Sequence, residues 1–141
     1  MPDRMPAKSP AADRGNVAAA ERGTLALVCA VAWAVPGAGH FWLGRRQKAA
    51  VFFLALLTMF GAGLLLEGRI FPFELSEPLV FLEAVANMGV GIPWLVARVM
   101  GAGAGTVTAV TYEYGNAFLI VAGLLNFLVI LDAFDIAMGR K

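Results

Sequence analysis

The sequence holds one cysteine, Cys29, and one histidine, His40, in 141 residues. A lone cysteine excludes an intramolecular disulfide, and inside an apolar run it reads as a small packing residue. A lone histidine with no thiol beside it excludes the usual zinc ligand sets, so no metal and no other cofactor is expected. No Ser-His-Asp or Cys-His arrangement can be built around His40. The glycines beside it lack the preceding strand and the following Gly-Lys-Ser/Thr of a phosphate loop. With no catalytic constellation, the chain reads as something other than an enzyme. Charge is scarce as well: charged residues make up 15% and the net charge is +1, which gives no ground for a nucleic-acid partner or an acidic substrate.

What the sequence has in abundance is apolar surface. Hydrophobic residues reach 60% and the mean hydropathy is +0.75. A soluble domain holds about 45–50% apolar and about 25% charged residues, so the class is a polytopic, all-α membrane protein. Its charges gather at the termini and between the apolar runs, as expected where a charge at a span centre costs about 2.5–3.5 kcal/mol or more. The lipid bilayer of the inner (plasma) membrane is the expected surrounding.

Residues 1–22 form a tail with Pro2, Pro6 and Pro10 that has too few bulky apolar groups to order itself up to about Asn16. Val17–Arg22 extends the first helix out of the membrane. Four apolar spans follow at about 24–42, 49–66, 79–100 and 114–137, giving a helical transmembrane domain over 23–141. Ala26, Ala30, Ala34 and Ala38 form a small-residue stripe of the kind that lets helix backbones approach closely. Ala32-Trp33-Ala34 also offers a signal-peptidase pattern, but the long polar leader and the later spans favour a retained helix.

The first span is broken by Pro36, which removes a backbone donor, with Gly37 and Gly39 beside it and Gly44 closing the stretch. A kink or a re-entrant turn is expected there, with freed carbonyls covered by other helices and the His40 ring N–H donating to one of them. Arg45, Arg46 and Lys48 follow as a topology anchor or a seat for anionic lipid headgroups. If the first segment crosses fully, four spans put both termini on the cytoplasmic side and leave the basic cluster on the other. If it is re-entrant, the tail and the cluster share the cytoplasmic side and the C-terminus faces out. Four helices with both termini cytoplasmic is the preferred arrangement.

Polar residues within the spans are Glu83 and Asn87, four apart on one face above Gly91 and Pro93, then Asn126, Asp132 and Asp135 on the last helix. The two aspartates lie near a helix C-terminus, where the macrodipole opposes them, so each needs a partner. Arg140, Lys141 and Arg22 are the expected ones, and Glu83 would approach Asp132 if four spans hold.

Pro36-Gly37-x-Gly39-His40-Phe41-Trp42-Leu43-Gly44-Arg45 followed by Lys48 resembles the turn of small two-transmembrane-helix domains, whose motif reads roughly PGxGxhYlGrxxxG. Trp42 stands where tyrosine is usual, and Ala49 or Ala50 where glycine is. A second pattern runs from Tyr112-Glu113-Tyr114-Gly115-Asn116 through Ala122-Gly123-Leu124-Leu125-Asn126 to Leu131-Asp132-Ala133-Phe134-Asp135-Ile136-Ala137 and Gly139-Arg140-Lys141. Together they resemble an uncharacterised bacterial family of small multi-pass inner-membrane proteins of unknown function. The resemblance implies membrane location and about four helices, and brings no substrate, cofactor or catalytic residue. The expected role is a non-enzymatic structural or accessory subunit packing with itself or with other membrane proteins. The alternative is a small transporter or channel subunit using Glu83, Asn87, Asn126 and Asp132.

Overall fold

The computed structural model describes residues 10–140, apart from the side chain of Ala12, and is all-α. Six helices follow in order: α1 (Pro10–Ala34), α2 (Ala38–Trp42), α3 (Arg46–Leu65), α4 (Pro78–Met88), α5 (Ile92–Val99) and α6 (Tyr112–Ala137). Among the described residues the only strand-like pairing is one isolated bridge between Arg69 and Ala104. Three stretches are long and apolar enough to cross a membrane: Asp13–Ala34, Arg46–Leu65 and Tyr112–Ala137. A fourth is reached if α4 and α5, bent by 111° at their junction, are taken as one.

Helix α1 starts at Pro10, so Pro10–Asn16, which composition places in an unstructured tail, is helical. Proline is accepted at a first helical position, where its missing N–H has no intrahelical partner anyway, and the alanines that follow are strong helix formers. The rest of that expectation, residues 1–9, lies outside the described residues. At the inner end Pro36 disfavours helical geometry in the residue before it, so α1 stops at Ala34 and the chain turns through Gly37 at φ 83°. The turn packs so close to α3 that a Cβ at Gly37 would sit 2.5 Å from the Ala49 carbonyl oxygen.

Helix α6 is the ruler against which the others can be placed. Its buried face carries Asn116, Leu119, Ala122, Gly123, Asn126, Val129 and Ala133, a comb at steps of three and four along one side of the helix. Helix α3 runs antiparallel to it: Lys48 reaches Asp132, Phe60 packs with Leu119 and Ala122, and Gly63 lies against Leu119 and Gly115. Helix α1 is antiparallel to α6 too. Thr24 and Glu21 border Ala137, Val28 and Ala32 pack on Ala133, and the Ala32 and Trp33 carbonyls meet Asn126. Helices α1 and α3 both run against α6 and so are parallel, which means that the chain between them must double back. Segment 35–45, with α2 in it, makes that return: Gly39 lies against Ala32 and Ala133, and Leu43 against the Val28 cluster.

The same happens from the opposite end. Segment 66–77 sits beside the start of α6, where Gly68 touches Gly115 and the Arg69 amide donates to Asn116. Helix α4 runs inward until Ala86 and Gly89 meet Gly123, and α5 returns so that the Ile70 amide bonds the Gly103 carbonyl just beyond it. The bundle is therefore two full-length helices, α3 and α6, and two hairpins that enter from opposite ends and meet at mid-height. The end where α6 stops is called the base, and the end where α6 starts the top.

This doubling back changes where the charges lie. Arg14, Arg22, Arg45, Arg46, Lys48 and Arg140 all fall toward the base, while the top holds Glu67, Glu74, Glu77 and Glu113 with Arg69 and Arg98. One re-entrant segment alone would separate the C-terminus from the basic cluster; two restore it to the same end.

The alanine stripe is not the face that α1 buries within the bundle. Ala26 and Ala30 are exposed, and the buried face of α1 is Val28 and Ala32 instead. The cause is the reversal at Pro36, which brings Gly39 back onto Ala32 and so demands a small residue there.

Candidate functional site

Where the two hairpins meet, two helices end in the middle of the bundle. The last turn of a helix has carbonyls without intrahelical partners, and in lipid each must find a donor inside the protein. The Asn126 side chain supplies it: Nδ2 donates to the Gly89 carbonyl at 2.8 Å, with the Ala32 and Trp33 carbonyls each at 3.4 Å. All three neighbours are acceptors, which fixes the orientation of the amide. The Trp33 indole Nε1 donates across the same junction to the Met88 carbonyl at 3.1 Å. Asn126 is fully buried, and its Oδ1 has no partner among the described residues. One polar side chain thus ties α1, α4 and α6 together. Asn126→Leu, similar in size, leaves three carbonyls competing for no donor and is expected to cost about 1–3 kcal/mol. Thermal unfolding in detergent measures it, and an unchanged midpoint would mean the amide is idle.

Nearer the top, Asn116 accepts the Arg69 amide at 2.7 Å, and Asn87 Nδ2 donates weakly to the Arg69 carbonyl at 3.5 Å. Asn87 is fully buried, and its Oδ1 is unpartnered among the described residues. These two asparagines hold the connection between α3 and α4 against α6. Asn116 was not among the residues singled out by sequence, though it stands ten residues before Asn126 on the same buried comb. That spacing is the signal that identifies it.

Toward the base lies the ionic group. His40 on α2 is fully buried, and its Nε2 donates to Asp132 Oδ2 at 2.7 Å. Lys48 on α3 donates to the same oxygen at 3.2 Å. The Phe52 ring meets the imidazole edge-on, centroids 5.0 Å apart. The carboxylate oxygen accepts, so Nε2 is the donor, and the buried Nδ1 has no partner among the described residues. The group joins the returning hairpin, the first turn of α3 and the last third of α6 with one carboxylate oxygen.

Several sequence expectations are corrected here. His40 bonds Asp132 rather than a carbonyl of the Pro36–Gly39 turn, because α2 runs back down beside α6 and carries the ring away from that turn. Asp132 is held by His40 and Lys48, neither of which was among its expected partners. Arg140, one of the partners expected for the two aspartates, does pair with Asp135, at 3.3 Å, and Lys141 lies outside the described residues. Glu83 does not approach Asp132. It precedes Ala86 on a helix that enters from the top, and Ala86 is level with Gly123, about 13 Å of helix rise from Asp132. Arg45 and Arg46 are exposed and have no carboxylate partner among the described residues.

Three clefts mark the outside of the bundle. One, of about 340 Å³, lies between the Pro36–Gly37 turn and α3; a second, of about 450 Å³, lies between α3 and α6 and ends on Asp132. The third, of about 600 Å³, separates α1 from the end of α6. None of them reaches Asn87 or Asn126. Among the described residues no group of three or more His, Cys, Asp or Glu side chains is placed to hold a metal ion.

No curated protein and no solved structure matches the chain. A family model does: its match begins in α1 at residue 27, takes in both hairpins and both full-length helices, and ends at residue 141, so the chain belongs to DUF6677, a family of unknown function.

Proposed function

We propose that this protein is an integral protein of the inner (plasma) membrane with no catalytic activity of its own, a structural or accessory subunit that packs against other membrane helices. One observation carries the reading. The polar side chains at the centre join hairpin to hairpin, while the clefts face outward, and the two that border α3 are lined almost wholly by apolar residues. Outward apolar clefts in a membrane are places for neighbouring helices or lipid; a transport path needs polar groups facing an inner cavity.

A second reading, a small transporter or channel subunit, draws on the two buried and unpartnered amide oxygens of Asn87 and Asn126. Substituting Glu83→Gln and Asp132→Asn separates the two. A scaffold is expected to lose assembly mass in detergent with Asp132→Asn and to show no ion flux in proteoliposomes above empty vesicles. Flux that vanishes with Glu83→Gln while assembly is retained would replace the scaffold with the transporter.

The cytoplasmic face is assigned to the base, since basic residues near span ends stay inside. In a Cys29→Ala background, single cysteines at Gln47 and Arg140 are expected to react with an impermeant maleimide from one face. Cysteines at Ser76 and Thr106 react from the other. Labelling of Gln47 and Arg140 from opposite faces would rule out the double reversal.

A further inference from the structure

The cleft beside the Pro36–Gly37 turn has a shape and a charge that name an occupant. On α3 its wall is Arg46, Ala49, Ala50 and Phe53, spaced three, four and seven apart and so on one helix face. The opposite wall is the reversing segment, with Pro36, Gly37 and Phe41. Small residues and the phenyl rings of Phe41 and Phe53 line it, and among its described lining residues Arg46 is the only charged one. Phe53 lies about 10 Å further into the bundle than Arg46, by helix rise. The cleft is thus polar at its mouth near the base and apolar with depth, and its volume of about 340 Å³ falls within the range of ligand sites.

The charge at the mouth is available. Of the three basic residues that open α3, Lys48 is engaged with Asp132, whereas Arg45 and Arg46 have no carboxylate partner among the described residues. A guanidinium with free donors matches a phosphate in geometry as well as in sign. Phe41 and Trp42, 63% and 52% exposed beside the cleft, are the aromatic residues that favour the headgroup boundary.

We infer that this cleft binds one anionic phospholipid, an acyl chain lying between the Pro36–Gly37 turn and α3 and the phosphate resting on Arg46 with Arg45 beside it. The inference rests on the chain's lying in a bilayer and is independent of which helices it packs with. Lipid bound there fills the cleft between the returning hairpin and α3, and so steadies the reversal that sets the topology.

The test uses the full chain, purified in mild detergent, with native mass spectrometry of bound dioleoylphosphatidylglycerol and dioleoylphosphatidylcholine. Wild type is expected to retain one phosphatidylglycerol with at least fivefold preference, from about 1 kcal/mol per basic side chain near the surface. Arg46→Gln should reduce that preference about fivefold and leave phosphatidylcholine binding unchanged. Ala50→Phe, at an exposed position on the cleft wall, should reduce retention of both lipids without altering the far-ultraviolet circular dichroism. Equal retention of the two lipids by wild type overturns the inference. So does full retention by Ala50→Phe, which would place the lipid on the basic residues alone. A dimer that Ala50→Phe dissociates would assign the cleft to a second copy of the chain. Co-flotation with vesicles is measured alongside: protein that fails to float overturns the bilayer reading itself, whereas protein that floats without lipid preference overturns only the site.

Discussion

Gly91→Ala is expected to be among the most damaging single-methyl additions in the chain. Gly91 sits at the apex of the α4–α5 hairpin at φ 79° and ψ −126°, a backbone conformation that a residue with a Cβ adopts only under strain. The methyl would also run into the Trp33 carbonyl oxygen at the tip of the opposing hairpin, which is backbone and cannot rotate aside. Strain of about 1–2 kcal/mol and overpacking of about 1–3 kcal/mol fall on the same atom, so a total of about 2–5 kcal/mol is expected. The two hairpins would have to part, and Asn126 would lose its alignment with the Gly89 carbonyl as they did. Two other glycines separate these causes. Gly101 has a similar φ of 70° with nothing within 4 Å of its missing Cβ, so Gly101→Ala should show the backbone strain alone. Gly61 is helical with open space around it, and Gly61→Ala should stabilise by up to about 1 kcal/mol. Melting of the three variants in detergent should rank Gly91→Ala far below Gly101→Ala, with Gly61→Ala at or above wild type. Equal melting of Gly91→Ala and Gly101→Ala would show that the hairpin tips do not touch.

This contact illustrates what a sequence can and cannot state about such a fold. Helices α3 and α6 are plain in it because their apolar runs are long and uninterrupted, and the all-α class follows from composition. Pro36 with Gly37, and Gly91 with Pro93, announce breaks, since proline removes a donor and glycine permits conformations other residues avoid. The depth at which each break lies was not legible. A Pro-Gly pair looks alike whether the chain kinks and continues or turns back, and only the height of its neighbours on α6 decides. Every misplaced partner follows from that one ambiguity. A continuous third span would carry Glu83 to the base beside Asp132, and nothing in the sequence says that α2 descends and takes His40 away from its own turn. His40 and Asp132 are 92 positions apart, and no periodic signal in between links them. The asparagines were more legible in kind than in partner: amides within apolar helices point to backbone needing donors, but which backbone depends on where α1 and α4 stop.

The group at the base offers the other large effect. Asp132 holds α2 through His40 and α3 through Lys48, so Asp132→Leu removes both ties at once and leaves a buried imidazole and a lysine without an acceptor. Breaking a buried pair by deleting one partner costs about 3–5 kcal/mol where both groups are sealed from solvent. Here the Asp132 side chain is 18% exposed and that of Lys48 45%, so the lysine can turn outward, and about 2–3 kcal/mol is the expected loss. His40→Leu should cost a similar amount, as it strands the carboxylate while filling the space of the ring. If the two residues act through each other, His40→Leu with Asp132→Leu loses less than the sum of the singles, by about 1–3 kcal/mol. The native Cys29, half-buried on α1 close to this hairpin, reports the structural consequence. Its modification by a small maleimide in detergent should speed up in each single variant, because α2 no longer holds the end of α1 against α6. Asp132→Asn keeps the shape and an acceptor for His40 but drops the charge that Lys48 needs, so it should fall between wild type and Asp132→Leu in both readouts. Strictly additive losses in the double variant, with Cys29 modified at the wild-type rate throughout, would mean that His40 and Asp132 are neighbours without being coupled. The returning hairpin would then be held by packing, of Gly39 on Ala32 and Ala133, of Leu43 on the Val28 cluster and of the Gly37 turn on Ala49.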